Sequence, residues 1–220
     1  MSDIQANLRI MRRGRTLIYI PIIHTQADMG ALGESVQRLK IQRLGRRGWE
    51  RNVNLVDQYW TRVEQAVQSL SAPRQPLRVY QDGLPVCGRE IDIVADLAKA
   101  GSRNHRLLMR LKEKGAALMG TESSALLVEE YQLMKGTFAL EKAEAVAHGG
   151  RPSTALRDSL LKRRDQYIAR RINETLLAGE TGLIFLGVLH SLAECLDRDI
   201  HIVCPIFQPL DQRKSHGARR

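Results

Sequence analysis

The chain carries only three cysteines, Cys87, Cys195 and Cys204, and no Cys-x-x-Cys pair. Any disulfide scheme leaves one of them over, which argues against a disulfide-stapled scaffold and suits a reduced, cytoplasmic setting. No apolar run reaches the ~18 residues of a membrane-spanning helix, so no membrane association is expected. Nor are the glycines arranged as a phosphate cradle. Gly30-Ala31-Leu32-Gly33 lacks the lysine and spacing of a Walker motif, and no Gly-x-Gly-x-x-Gly occurs. The start loosely imitates a signal peptide, with Arg9, Arg12, Arg13 and Arg15 before an apolar stretch. That stretch ends in His24, Gln26 and Asp28 without a small-residue cleavage pattern, so it reads as a strand.

What is present fits one large globular domain: 220 residues with 43% hydrophobic content. The formal charge of +10 implies solubility and a liking for anions, and is silent on fold. A polyanion or nucleic-acid partner could meet Arg9–Arg15, the Arg38–Arg51 cluster beside Trp49, or the tail with Arg213, Lys214, Arg219 and Arg220. A solvated helix junction is the plainer alternative for the middle cluster. Oligomeric state is not legible, and a homo-oligomer is left open.

The organising stretch is Gly182–Ser191, GLIFLGVLHS, an apolar run that stops in a histidine and a hydroxyl. Leu17–Thr25, LIYIPIIHT, echoes it near the other end of the chain. Strands apolar on both faces belong inside a parallel sheet covered by helices on both sides. Further strands are predicted at Leu77–Tyr80, Ala116–Gly120 and Ile200–Cys204, the last stopped by Pro205. Helices are predicted from Asp28 towards Leu44, over Val53–Leu70, Glu90–Lys99, Arg103–Lys114, Ser123–Ala147 and Ser153–Ala178. Gly45 and Gly48 break the first pair, and Gly149-Gly150-Arg151-Pro152 is the clearest loop. The fold class is therefore α/β: a single domain with a mostly parallel central sheet of about four to six strands flanked by helices. A basic lead-in (1–15) and a basic tail (208–220) bracket the domain at 16–207.

In parallel sheets ligands gather at the carboxyl edge of the strands. Several predicted strands deliver a titratable group there: His24, Asp82, Glu122 and His190. Histidine nitrogens with carboxylate oxygens suit a divalent transition metal, which lowers the pKa of a bound water and polarises a carbonyl or phosphoryl oxygen. Alternatively a histidine acts directly as base, oriented by a carboxylate. Helix caps and polar rim residues remain the plainer alternative, above all for Asp82 and for Glu122 in Thr121-Glu122-Ser123-Ser124. The long helix adds a second clue. Asp165 falls on the apolar stripe of Leu161, Ile168, Ile172 and Leu176, bordered by Arg164. An inward carboxylate is costly unless paired, so Asp165 is expected to bind an arginine or to orient a histidine ring. Favouring the helix amino end is its other reading.

Arg163–Ala169, RRDQYIA, followed by Gly187-Val188-Leu189-His190, resembles the closing half of the TraB/PrgY/TIKI group, related to the erythromycin-esterase-like and ChaN-like fold. Members pair an early and a late Gly-x-x-His, with an Arg-Asp helix before the second. The resemblance implies an α/β domain with a hydrolytic site, metal-dependent in some members and haem-binding or without established activity in others. It places His190, Gly187, Arg164 and Asp165 in the late motif and His24 in the early one, where Pro21 stands in place of glycine. The glutamate expected after the first histidine is missing from its usual context, leaving Asp82 or Glu122 to substitute. A small molecule or peptide would be the substrate.

Overall fold

The computed structural model describes residues 14–28, 33–70, 76–144 and 154–205. Its elements alternate as the sequence predicts: β1 (Arg15–Ile22), α1 (Gly33–Leu70), β2 (Leu77–Gln81), α2 (Glu90–Lys99), α3 (Arg103–Glu113), β3 (Ala117–Met119), α4 (Ser124–Glu144), α5 (Thr154–Thr175), β4 (Thr181–Gly187) and β5 (Ile200–Val203). The five strands form one sheet in the order β3-β2-β4-β1-β5, and every pairing is parallel. The predicted 149–152 loop, the Arg9–Arg13 segment and the basic tail lie outside the described residues.

Alternation along each strand sorts side chains to two faces. Ile18, Ile20 and Ile22 of β1, with Leu183 and Phe185 of β4, meet Trp60, Val63 and Val67 of α1 and Leu107, Leu108 and Leu111 of α3. The opposite residues, Leu17, Tyr19, Ile184 and Leu186, meet Ile168, Ile172 and Leu176 of α5. Each fully buried aliphatic or aromatic side chain contributes roughly 1.5–3 kcal/mol. α1 is two helices in tandem. Gly45 (φ 67, ψ 165) leaves helical geometry, while Gly48 stays inside the second half.

The topology fixes where a crevice opens. From β1 the chain crosses one face through α1 and passes β4 to reach β2. From β4 it crosses the other face, with Leu192 and Leu196 packed there, and passes β1 to reach β5. β1 and β4 are neighbours whose exits depart in opposite directions, which makes their shared carboxyl edge a switch point. Those are the two histidine-bearing strands.

Arg15, at the end of the basic lead-in, begins β1, is buried, and pairs with Asp197 and Asp199 across the sheet end. Cys87, Cys195 and Cys204 are all exposed. Among the described residues no helix is long and apolar enough to cross a membrane.

Candidate functional site

β2 ends at Gln81, and Asp82 follows with its N–H donating to Phe185 O of β4 at 2.8 Å. The chain then turns at Gly83, whose φ of 74° favours glycine. This keeps the Asp82 carboxylate buried against β4 rather than at a solvated rim. Its Oδ2 accepts from Gly187 N at 2.9 Å, and a Cβ added at Gly187 would stand 2.9 Å from that oxygen. The late glycine is thus required for close backbone approach.

His24 leaves β1 on a short loop held from beneath. Trp60 Nε1 donates to Ile23 O at 3.2 Å and the Tyr59 hydroxyl donates to Pro21 O. Asp28 Oδ2 accepts from Thr25 N (2.6 Å) and Thr25 Oγ1 (2.8 Å). Asp28 Oδ1 accepts from Ser102 Oγ, which also bonds His105 Nδ1 at 2.7 Å. Burial alone would raise the Asp28 pKa, but these hydrogen bonds outweigh it and bring it down to about 2. Pro21 is tolerated because β5 pairs only with Arg15–Ile18, so Pro21 lies beyond that neighbour.

His190 sits in the turn after β4, its N–H donating to Gly187 O at 3.1 Å. Asp165 Oδ1 lies 2.5 Å from its Nδ1, and Asp165 Oδ2 accepts from Ser191 N at 3.0 Å. The helix carboxylate therefore orients the ring, with the proton on Nδ1 and Nε2 left to face the pocket. His190 Nε2 is 3.6 Å and His24 Nε2 is 3.3 Å from the same atom, Asp82 Oδ2. The two imidazoles converge on one carboxylate oxygen. The His190 side chain is 5% exposed and that of His24 39%, so His24 forms the open side.

Behind Asp82 stands an ion cluster. Arg164, 5% exposed, donates to Asp82 Oδ1 (2.9 Å), to both oxygens of Glu122 (Nε to Oε2 at 2.9 Å) and to Glu130. Glu122 is fully buried, and its Oε1 also accepts from Gly83 N at 3.1 Å. Burial would favour neutral Asp82, yet the hydrogen bond and charge of His24, with the charges of His190 and Arg164, hold it well below the usual carboxylate range. Burial likewise opposes charge on both histidines. Asp82 outweighs it for His24, and Asp165 with Asp82 outweighs it for His190, so both pKa values are raised. Glu122 is pushed up, first by burial and then by Asp82, against the pull of Arg164. Arg164 and the two histidines supply the positive charge set against Asp82 and Asp165.

Asp82, Glu122 and His190 present ligand atoms within 4.8 Å of one another, a group that could hold a metal ion. The donors are not equal. Both Glu122 oxygens already accept from Arg164, so an ion there would have to displace a guanidinium. His24 Nε2 lies 3.3 Å from Asp82 Oδ2 but is not a member of that group, so it flanks these ligands from the open side. The 3.6 Å between His190 Nε2 and Asp82 Oδ2 is close to the about 3.4 Å between two ligands on one tetrahedral ion at about 2.1 Å.

All six sequence candidates, His24, Asp82, Glu122, Arg164, Asp165 and His190, meet around this point. Helix-capping is not the role of Glu122 here. Sequence reasoning missed the Asp28–Ser102–His105 tether, because partners 74 residues apart leave no local pattern. Glu130 was missed for the same reason. Of the basic cluster, Arg38, Arg46, Arg47 and Arg51 are exposed, while Lys40 and Arg43 line a cleft above the histidines. No protein-family model matches the chain, and neither the curated proteins nor the solved structures yield a match.

Proposed function

We propose that this pocket is a hydrolytic site for an ester, amide or phosphoester, with Asp82 and His190 holding a divalent metal and His24 closing on it from the open side. The convergence of both Nε2 atoms on Asp82 Oδ2 carries this reading. In a neutral imidazole whose Nδ1 proton is given to Asp165, Nε2 is a lone pair facing a carboxylate. A proton or another cation between them relieves that repulsion. A bound metal would supply an activated water and polarise the oxygen under attack. The chain's own residues do the rest. Asp165 fixes the His190 ring, Gly187 N and Arg164 fix Asp82, and Glu122 keeps Arg164 in place. The resemblance to the TraB/PrgY/TIKI group supports the same reading, with Asp82 as the strand-end carboxylate.

The test is a screen of ester, amide and phosphoester hydrolysis by protein purified without an affinity tag, metal-stripped and then reloaded. Activity restored by metal and abolished in His190→Ala is expected. Asp165→Asn should lower metal affinity about 10–100-fold, the usual cost of losing a ligand's hydrogen-bond partner. Glu122→Gln should leave metal binding in place. Activity that survives stripping would instead make His190, oriented by Asp165, the base itself. A second reading rests on the exposed arginines of α1: retention on a polyanion that falls steeply with salt. No retention at low salt removes it.

A further inference from the structure

The floor of the site is polar, but the space above it is not. A cleft of about 920 Å³ opens over His24, His190 and Asp82, near the top of the range for sites that enclose a small-molecule ligand. Its walls include Leu39 and Trp49 from α1, Leu133 and Met134 from α4 and Leu161 from α5. Lys40, Arg43 and Arg157 also line it, and the Lys40 ammonium stands 5.8 Å above the Trp49 ring. A positive group thus borders the apolar wall.

We infer that the cleft selects an amphipathic anion: an apolar chain lying along Leu39, Trp49, Leu133, Met134 and Leu161, with an anionic group at Lys40. This rests on the hydrolytic reading for the position of the scissile bond, but the recognition is independent of it. Lys40 and Arg43 attract the anionic group to the α1 wall, so such a ligand is held in one direction, with its uncharged end towards the histidines. The apolar chain displaces water from the walls and supplies the affinity. A cationic amphiphile would be repelled by Lys40 and Arg43. A short polar substrate would leave the walls wet.

Trp49 supplies the readout. The chain has two tryptophans, and Trp60 is fully buried in the core, so an emission shift on ligand addition reports the cleft. Titration uses submicellar dodecanoate, with dodecyltrimethylammonium and acetate as comparisons. The expected result is a saturable shift with dodecanoate, about tenfold weaker binding of the cationic chain and no shift with acetate. Lys40→Glu and Leu133→Asp, both at half-buried positions, should each weaken dodecanoate by about tenfold or more. Equilibrium dialysis with labelled dodecanoate confirms the constants in protein of unchanged circular dichroism. An unsaturable shift, equal binding of the two charge types, or parental affinity in both variants overturns the inference. Metal binding without chain selectivity would leave the hydrolytic reading standing. Chain selectivity without metal binding would leave only the amphiphile cleft.

Discussion

At the scale of single residues, Gly187 shows how a motif encodes proximity. It donates its N–H to Asp82 Oδ2 and has no room for a Cβ at 2.9 Å from that oxygen. Gly187→Ala should push the carboxylate away from both imidazoles, lowering metal affinity without unfolding the domain. A metal titration beside a thermal melt checks this; parental affinity in the variant would contradict it. The histidines also make stability pH-dependent. Both hold protons more tightly folded than unfolded, so in the metal-free protein their contribution is complete below the ordinary value of 6.5 and is lost as pH rises through the raised values. Asp82 acts at the other extreme: its contribution is present above 3.8 and is lost as pH falls through its depressed value. The melting midpoint should therefore fall with rising pH above about 6.5, and fall less in His190→Ala. Equal slopes in parent and variant would contradict the linkage. His24 adds less than His190 because solvent screens its exposed ring. At this scale His24, His190 and Asp165 were legible because each interrupts an apolar pattern. Asp28 and Glu130 interrupt none.

At the scale of elements, the echo between the two histidine strands aligns Leu17 with Leu183, but the sheet pairs Leu17 with Gly182. A one-residue offset exchanges faces: Leu17 packs under α5 whereas Leu183 packs under α1 and α3. The two histidines still meet because each lies past its strand end, where a turn can re-aim it. Sequence similarity showed that the strands are alike but not how they register, since register depends on partners distant in the chain. α5 was legible in periodicity alone, and its Asp165 and Arg164 reach the site from adjacent positions. Arg164 is the element's anchor. Arg164→Ala would leave Asp82 and Glu122 buried without their countercharge and should cost about 3–5 kcal/mol in denaturant unfolding. Arg164→Lys keeps a charge but cannot bridge both carboxylates, so an intermediate loss is expected. A negligible change in Arg164→Ala would show the cluster to be solvated instead.

At the scale of the molecule, strand order decides function more than strand composition. The sequence alone predicts a parallel α/β sheet from alternating elements, yet the order β3-β2-β4-β1-β5 cannot be read from it. That order places β1 against β4 and turns two separated apolar runs into the sides of one crevice. Lys40 and Arg43 of α1 bring positive charge to the wall of that crevice. The most direct measurement is calorimetric titration of tag-free, metal-stripped protein with zinc, repeated on His24→Ala and His190→Ala. One ion per chain in the parent, with affinity reduced at least about tenfold in each variant, is the expected result. No binding by the parent, or binding unchanged in both variants, would contradict a shared site between the two histidines.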